Sequence, residues 1–72
     1  MMMAHTITIQ LDGCPHELPT ASTLAMLVER LGHAANAVGT AVDGTFVPRG
    51  LRAEFVLREG AAVLLFQPIV GG

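Results

Sequence analysis

The sequence contains no lysine, no tryptophan and no tyrosine, and its one cysteine is Cys14. A lone cysteine excludes an internal disulfide framework. Cys14, beside a turn, reads as structural or incidental rather than reactive. All four basic residues are arginines (Arg30, Arg49, Arg52 and Arg58), and the net charge is −2, which gives no electrostatic reason to expect nucleic acid as a partner. No apolar run approaches the ~20 residues of a membrane span. Met1-Met2-Met3 leads into polar and alternating residues without the basic and apolar regions of a secretory leader, so the cytoplasm is the expected compartment. His5, His16 and His33 are scattered, with no pair at metal-ligand spacing. There is also no glycine-rich phosphate loop ending in Lys followed by Ser or Thr. A chain of 72 residues buries only about 60% of its unfolded surface, which leaves room for one modest core and little for an enclosed active site.

What is present is a folded-domain composition, 51% hydrophobic and 14% charged. Thr6 to Leu11 alternates, with Ile7, Ile9 and Leu11 on one face, as a half-buried strand does. Asp12-Gly13 is a hairpin turn signal, and the return strand, Cys14 to Leu18, carries Pro15, which suits a strand end or an edge. Ser22 and Thr23 are N-cap candidates. Leu24, Leu27, Val28 and Leu31 then form one apolar helical stripe, and Gly32 is placed to stop it. Two turns of helix cannot stand alone, so this one must pack on a sheet. His33 to Asn36 reads as a linker. Val38 to Val42 reads as a third strand, Asp43-Gly44 as a second turn, and Thr45 to Val47 as a short return ended by Pro48. Leu51 to Leu57 reads as irregular or a single helical turn anchored by Leu57, and Gly60 turns the chain into a last strand, Val63 to Phe66. The order predicts an α+β fold: a mixed sheet of four to five strands with one helix across one face. It matches the β-grasp, in which the first and last strands lie side by side at the centre.

The final strand is too apolar for a sheet covered on one side. With Val63 and Leu65 in the core, Leu64 and Phe66 fall on the uncovered face, where exposed apolar side chains point to a docking patch. Loops folded over them, or a reversed pleat, are the alternatives. Residues 1–67 are expected to form the domain and 68–72 a flexible tail. Ile69 and Val70 favour an extended backbone, Pro68 ends sheet pairing, and Gly71-Gly72 lets the backbone approach another group closely. Five extended residues reach roughly 16 Å, enough to place the Gly72 carboxylate inside a partner's cleft. A frayed terminus of small residues is the plain alternative. Arg49 and Arg58 fall near loops flanking the final strand and are candidates for orienting a partner through its carboxylates.

Leu11-Asp12-Gly13, the helix Thr23 to Gly32, Ala41-Val42-Asp43-Gly44, Phe46-Val47-Pro48-Arg49, Leu57 to Gly60 and Val63 to Gly72 together resemble the bacterial sulfur carriers of the thiamine pathway, ubiquitin-like β-grasp proteins. Asp43, Ala61 and Leu51-Arg52 depart from the usual asparagine, aspartate and aromatic residue of that pattern. The resemblance implies a protein co-substrate and not an enzyme. A ubiquitin-activating-type adenylating enzyme would use ATP and magnesium to activate Gly72, and this chain would bind no cofactor itself. A persulfide donor of the cysteine desulfurase kind would convert Gly72 to a thiocarboxylate, and thiazole synthase would receive the sulfur. Rival readings are the small subunit of molybdopterin synthase, a protein modifier or tRNA-thiolation carrier, and a plain interaction domain. With no lysine, one copy offers no side-chain amine to another, although an arginine-biased composition also explains that absence.

Overall fold

A computed structural model describes residues 5–34 and 36–67. Strands β1 (Thr6–Leu11), β2 (Cys14–Pro19), β3 (Gly39–Val42), β4 (Thr45–Val47) and β5 (Ala62–Phe66) form one mixed sheet in the order β2-β1-β5-β3-β4. β1 and β5 run parallel at its centre, and the other neighbours are antiparallel. Helix α1 (Leu24–Arg30) and a 3-10 helix (Arg49–Glu54) complete the described elements.

Both hairpins close on Asp-Gly pairs with positive φ at each residue, 51° and 85° at Asp12-Gly13 and 51° and 82° at Asp43-Gly44. This is the turn whose twist matches a hairpin. β2 runs one residue past the expected end, to Pro19. Thr20 N donates to His5 O, so amides of that parity face β1 while Pro15 and Pro19 present their nitrogens to the open edge, where no donor is needed.

Thr23, and not Ser22, caps α1: its hydroxyl accepts from Met26 N at 3.2 Å. The Ser22 hydroxyl instead donates to Pro19 O at 2.6 Å. β3 begins at Gly39, one residue later than expected, because the Val38 carbonyl is taken by Arg52 Nη2 at 2.7 Å. The expected irregular turn at Leu51 is a 3-10 helix that starts at Arg49, directly after Pro48.

The core lies between the sheet and the helical layer. Ile9 and Val63 come from the central strands, Leu18 and Val42 from their neighbours, Val47 from the edge strand β4, Leu24 and Leu27 from α1, and Leu57 and Ala61 from the approach to β5. Alternation along β5 sends Val63 inward, fully buried, and Leu64 outward. Among the described residues no helix is long and apolar enough to cross a membrane.

Candidate functional site

The face of the sheet opposite α1 divides into two halves. β1 and β2 contribute Thr6, Thr8, Gln10, Pro15 and Glu17, while β5, β3 and β4 contribute Leu64, Phe66, Gly39, Ala41 and Phe46. Register fixes the apolar half: Ala41 stands opposite both Leu64 and Phe46, and Gly39 stands opposite Phe66. Leu64 is 50% exposed, Phe66 43% and Phe46 59%, and the two rings lie 6.3 Å apart at 42°, within the range of favourable aromatic pairs. The other large exposed apolar side chains among the described residues, Met26, Leu51 and Val56, lie off this face.

Phe46 was not singled out from the sequence, although a signal for it was available. Val47 is the last residue before Pro48 and points inward, so Phe46 must point outward, and the Asp43-Gly44 turn sets it across from Ala41.

β5 is held on both flanks by aspartates of the two hairpin turns. Asp43 Oδ1 accepts from Ala62 N at 2.9 Å, and Asp12 Oδ1 accepts from Leu65 N at 3.1 Å. Asp12 also ends the β1–β5 ladder, with its own amide donating to Val63 O at 2.9 Å. The β1–β5 register ends at Leu11 and Val63, and Phe66, the last residue of β5, pairs with Gly39 of β3 at the exposed apolar half. Ile69, Val70, Gly71 and Gly72 lie outside the described residues, as does Pro68.

Arg49 and Arg58 are both exposed but are not brought together. Arg49 follows β4 by two residues and lines a cavity with Glu29, His33 and Arg52, beside the end of the sheet from which β5 exits. Arg58 lines a different cavity with Asp43 and Ala61, at the entry to β5.

Arg52, which the sequence marks only as a departure from the family pattern, is buried at 4% exposure. Its Nε donates to Thr40 Oγ1 at 3.0 Å, and the Thr40 hydroxyl donates to Val47 O at 2.9 Å. One guanidinium thereby ties the 3-10 helix to β3 and, through Thr40, to β4. Burial first, and the neighbouring Arg49 charge second, hold its pKa below the ordinary guanidinium value.

The arrangement supplies a surface and an exit point. An apolar, low-charge platform lies directly upstream of a five-residue segment that ends in two glycines. The chain matches the model of the ThiS family over residues 7–72. No protein of curated function matches it. The crystal structure of a thiamine biosynthesis protein, ThiS, from Geobacter metallireducens superposes with a TM-score of 0.77 at 20% identity, covering 92% of this chain and 100% of that one. A solution NMR structure of a thiamine biosynthesis protein from the same organism gives 0.70 at 22% identity, covering 92% and 88%. At those identities the superpositions establish a shared fold. The family match spans both the sheet and the terminal glycines, and on it the chain belongs to the ThiS family, the sulfur carriers of thiamine biosynthesis.

Proposed function

We propose that this chain carries sulfur as a thiocarboxylate on Gly72 and is loaded by an adenylating enzyme that docks on the apolar half of the sheet. The observation that carries the reading is the outward apolar pair Leu64 and Phe66 on the strand that leads toward Gly71-Gly72, with Phe46 on the same face of β4. An enzyme seated there receives the carboxylate at a distance set by the length of the tail.

A carboxylate is a poor electrophile until it bears a leaving group. In the partner's site a Gly72 carboxylate oxygen attacks the α-phosphorus of magnesium-bound ATP, and pyrophosphate leaves. The terminal sulfur of a cysteine persulfide, of the kind a cysteine desulfurase makes, then attacks the acyl carbon, and AMP leaves. A thiol attacks the donor cysteine sulfur of the resulting acyl disulfide and takes that sulfur into a new disulfide. The terminal sulfur remains on Gly72. Thiazole synthase is the acceptor in this reading. ATP and magnesium belong to the partner, and Cys14 takes no part. Arg49, near the exit of β5, is suited to a carboxylate on the enzyme. Arg58 can serve the same surface only from the other end of the strand.

The test pairs ATP–pyrophosphate exchange with thermal melts on the wild-type chain and a Gly72 deletion. The deletion is expected to melt with the wild type and to lose exchange, because its carboxylate stops about 3.5 Å short and such misplacement is severe at a reacting centre. Intact mass after incubation with enzyme, ATP and a persulfide source should rise by the difference between sulfur and oxygen in the wild type only. Full exchange by the deletion would sink the carrier reading.

A further inference from the structure

Phe66 and Gly39 face each other across β5 and β3, and the space between them is already filled. A Cβ on Gly39 would overlap Cε1 of the Phe66 ring and lie 2.7 Å from Cζ and 2.8 Å from Cδ1. The backbone of Gly39 is ordinary strand and not left-handed, so the demand for glycine here comes from the ring and not from φ. Because position 39 has no side chain, the Phe66 ring lies down on β3, turned toward Phe46.

We propose that Gly39 is a specificity-determining residue for the docking partner: it lays the Phe66 ring flat and so sets the relief of the aromatic platform that the adenylating enzyme reads. The proposal rests on the docking-face reading given above. The three heavy atoms nearest a methyl at position 39 all belong to the Phe66 ring, so the closest overlap is relieved by rotating the ring about χ1 and χ2 into solvent. Pairing of β3 with β5 survives, and the core, on the opposite face, is untouched. The raised ring parts from Phe46 and stands as a ridge where there was a floor. A partner surface shaped to the floor then meets a protrusion, or must force the ring into a poor rotamer.

Four chains decide the matter: wild type, Gly39→Ala, Phe66→Ala and the double variant, with carrier concentration varied in ATP–pyrophosphate exchange. Gly39→Ala should raise KM about tenfold, the scale of forcing one side chain off its rotamer, with kcat unchanged because the terminus is intact. In the Phe66→Ala background the same substitution should change nothing, since no ring remains to lift. An unchanged KM for Gly39→Ala refutes the proposal. So does an equal rise in the Phe66→Ala background, which would place the effect in the strand. Thermal midpoints of all four are read alongside, and Gly39→Ala should melt close to wild type. A steep drop that the double variant repairs would make the glycine a folding requirement and also refute the proposal. Leu64→Glu separates the two readings. If it raises KM while Gly39→Ala does not, only this inference fails; if Leu64→Glu is silent too, the docking face itself is wrong.

Discussion

Removing the Arg52 guanidinium should be among the costlier single changes outside the apolar core. In Arg52→Ala, Val38 O and Thr40 Oγ1 lose donors that now sit at 2.7 and 3.0 Å. Hydrogen bonds to a charged group contribute about 1.5–3 kcal/mol each. Against the pair stands the desolvation already spent on a nearly buried cation, several kcal/mol. Taking the low end for each of the two bonds, because that desolvation offsets part of the gain, gives an expected loss of about 3 kcal/mol. A domain of this size has only ~4–11 kcal/mol in total, at roughly 0.05–0.15 kcal/mol per residue. At about 4–8 °C per kcal/mol, the thermal midpoint should fall by about 12–24 °C. Circular dichroism melts and urea titrations with the slope m compared between variants measure this directly. Arg52→Met separates the causes: it keeps an aliphatic stem over the same surface, so any recovery relative to alanine measures packing, and the remainder measures the hydrogen bonds. A midpoint within about 4 °C of wild type for Arg52→Ala would refute the view that this side chain ties the 3-10 helix to the sheet.

Leu27→Ala, at a fully buried position of α1, should destabilise by about 2–5 kcal/mol in urea titration, and a near-neutral result would undo the packing of the helix stripe on the sheet. Phe66→Glu should retain a cooperative melt and weaken enzyme binding by at least ~30-fold, the scale of an interface hot spot; unfolding of that variant would overturn its place on the outer face. Arg49→Ala should slow association with the enzyme and flatten its salt dependence in stopped-flow measurements, and Arg58→Ala should do so less. Rates indifferent to salt and to both substitutions would remove the arginines from the docking surface.

The strands, both hairpins and the helix were legible in the sequence because each rests on local chemistry. Asp12-Gly13 and Asp43-Gly44 announce turns through their φ preferences, and the Leu24-Leu27-Val28 stripe announces a helix through its period. Val63 to Phe66 alternates, so once one face is assigned inward the other follows. What escaped is non-local. Arg52 reads as one more solvated charge in a loop, because its acceptors lie 12 and 14 residues away. Ala61 is a core residue, yet nothing in Gly60-Ala61-Ala62 marks the first alanine as buried and the second as exposed. Gly39 reads as one more residue of the Val38 to Val42 strand, and its reason is a ring 27 positions later that only the register brings above it. Phe46 sits between these cases. Its direction is local, but its membership in the platform depends on β3 standing between it and β5.

β5 sits between two hairpins that are each local in sequence, and it joins neither of them locally. Its amides reach Asp43 from 19 residues away and Asp12 from 53. Isolated hairpins are marginal in water, so β1–β2 and β3–β4 gain their stability only when β5 inserts between them. The platform Phe46, Leu64 and Phe66 joins the inserted strand to the β3–β4 hairpin and therefore does not exist until β5 has paired with β3. An enzyme that reads this face screens for completed folding before it spends ATP. Loading of destabilised variants should then track the folded fraction, with their terminal glycines chemically intact, and the carrier's activity becomes a gauge of its own folding equilibrium.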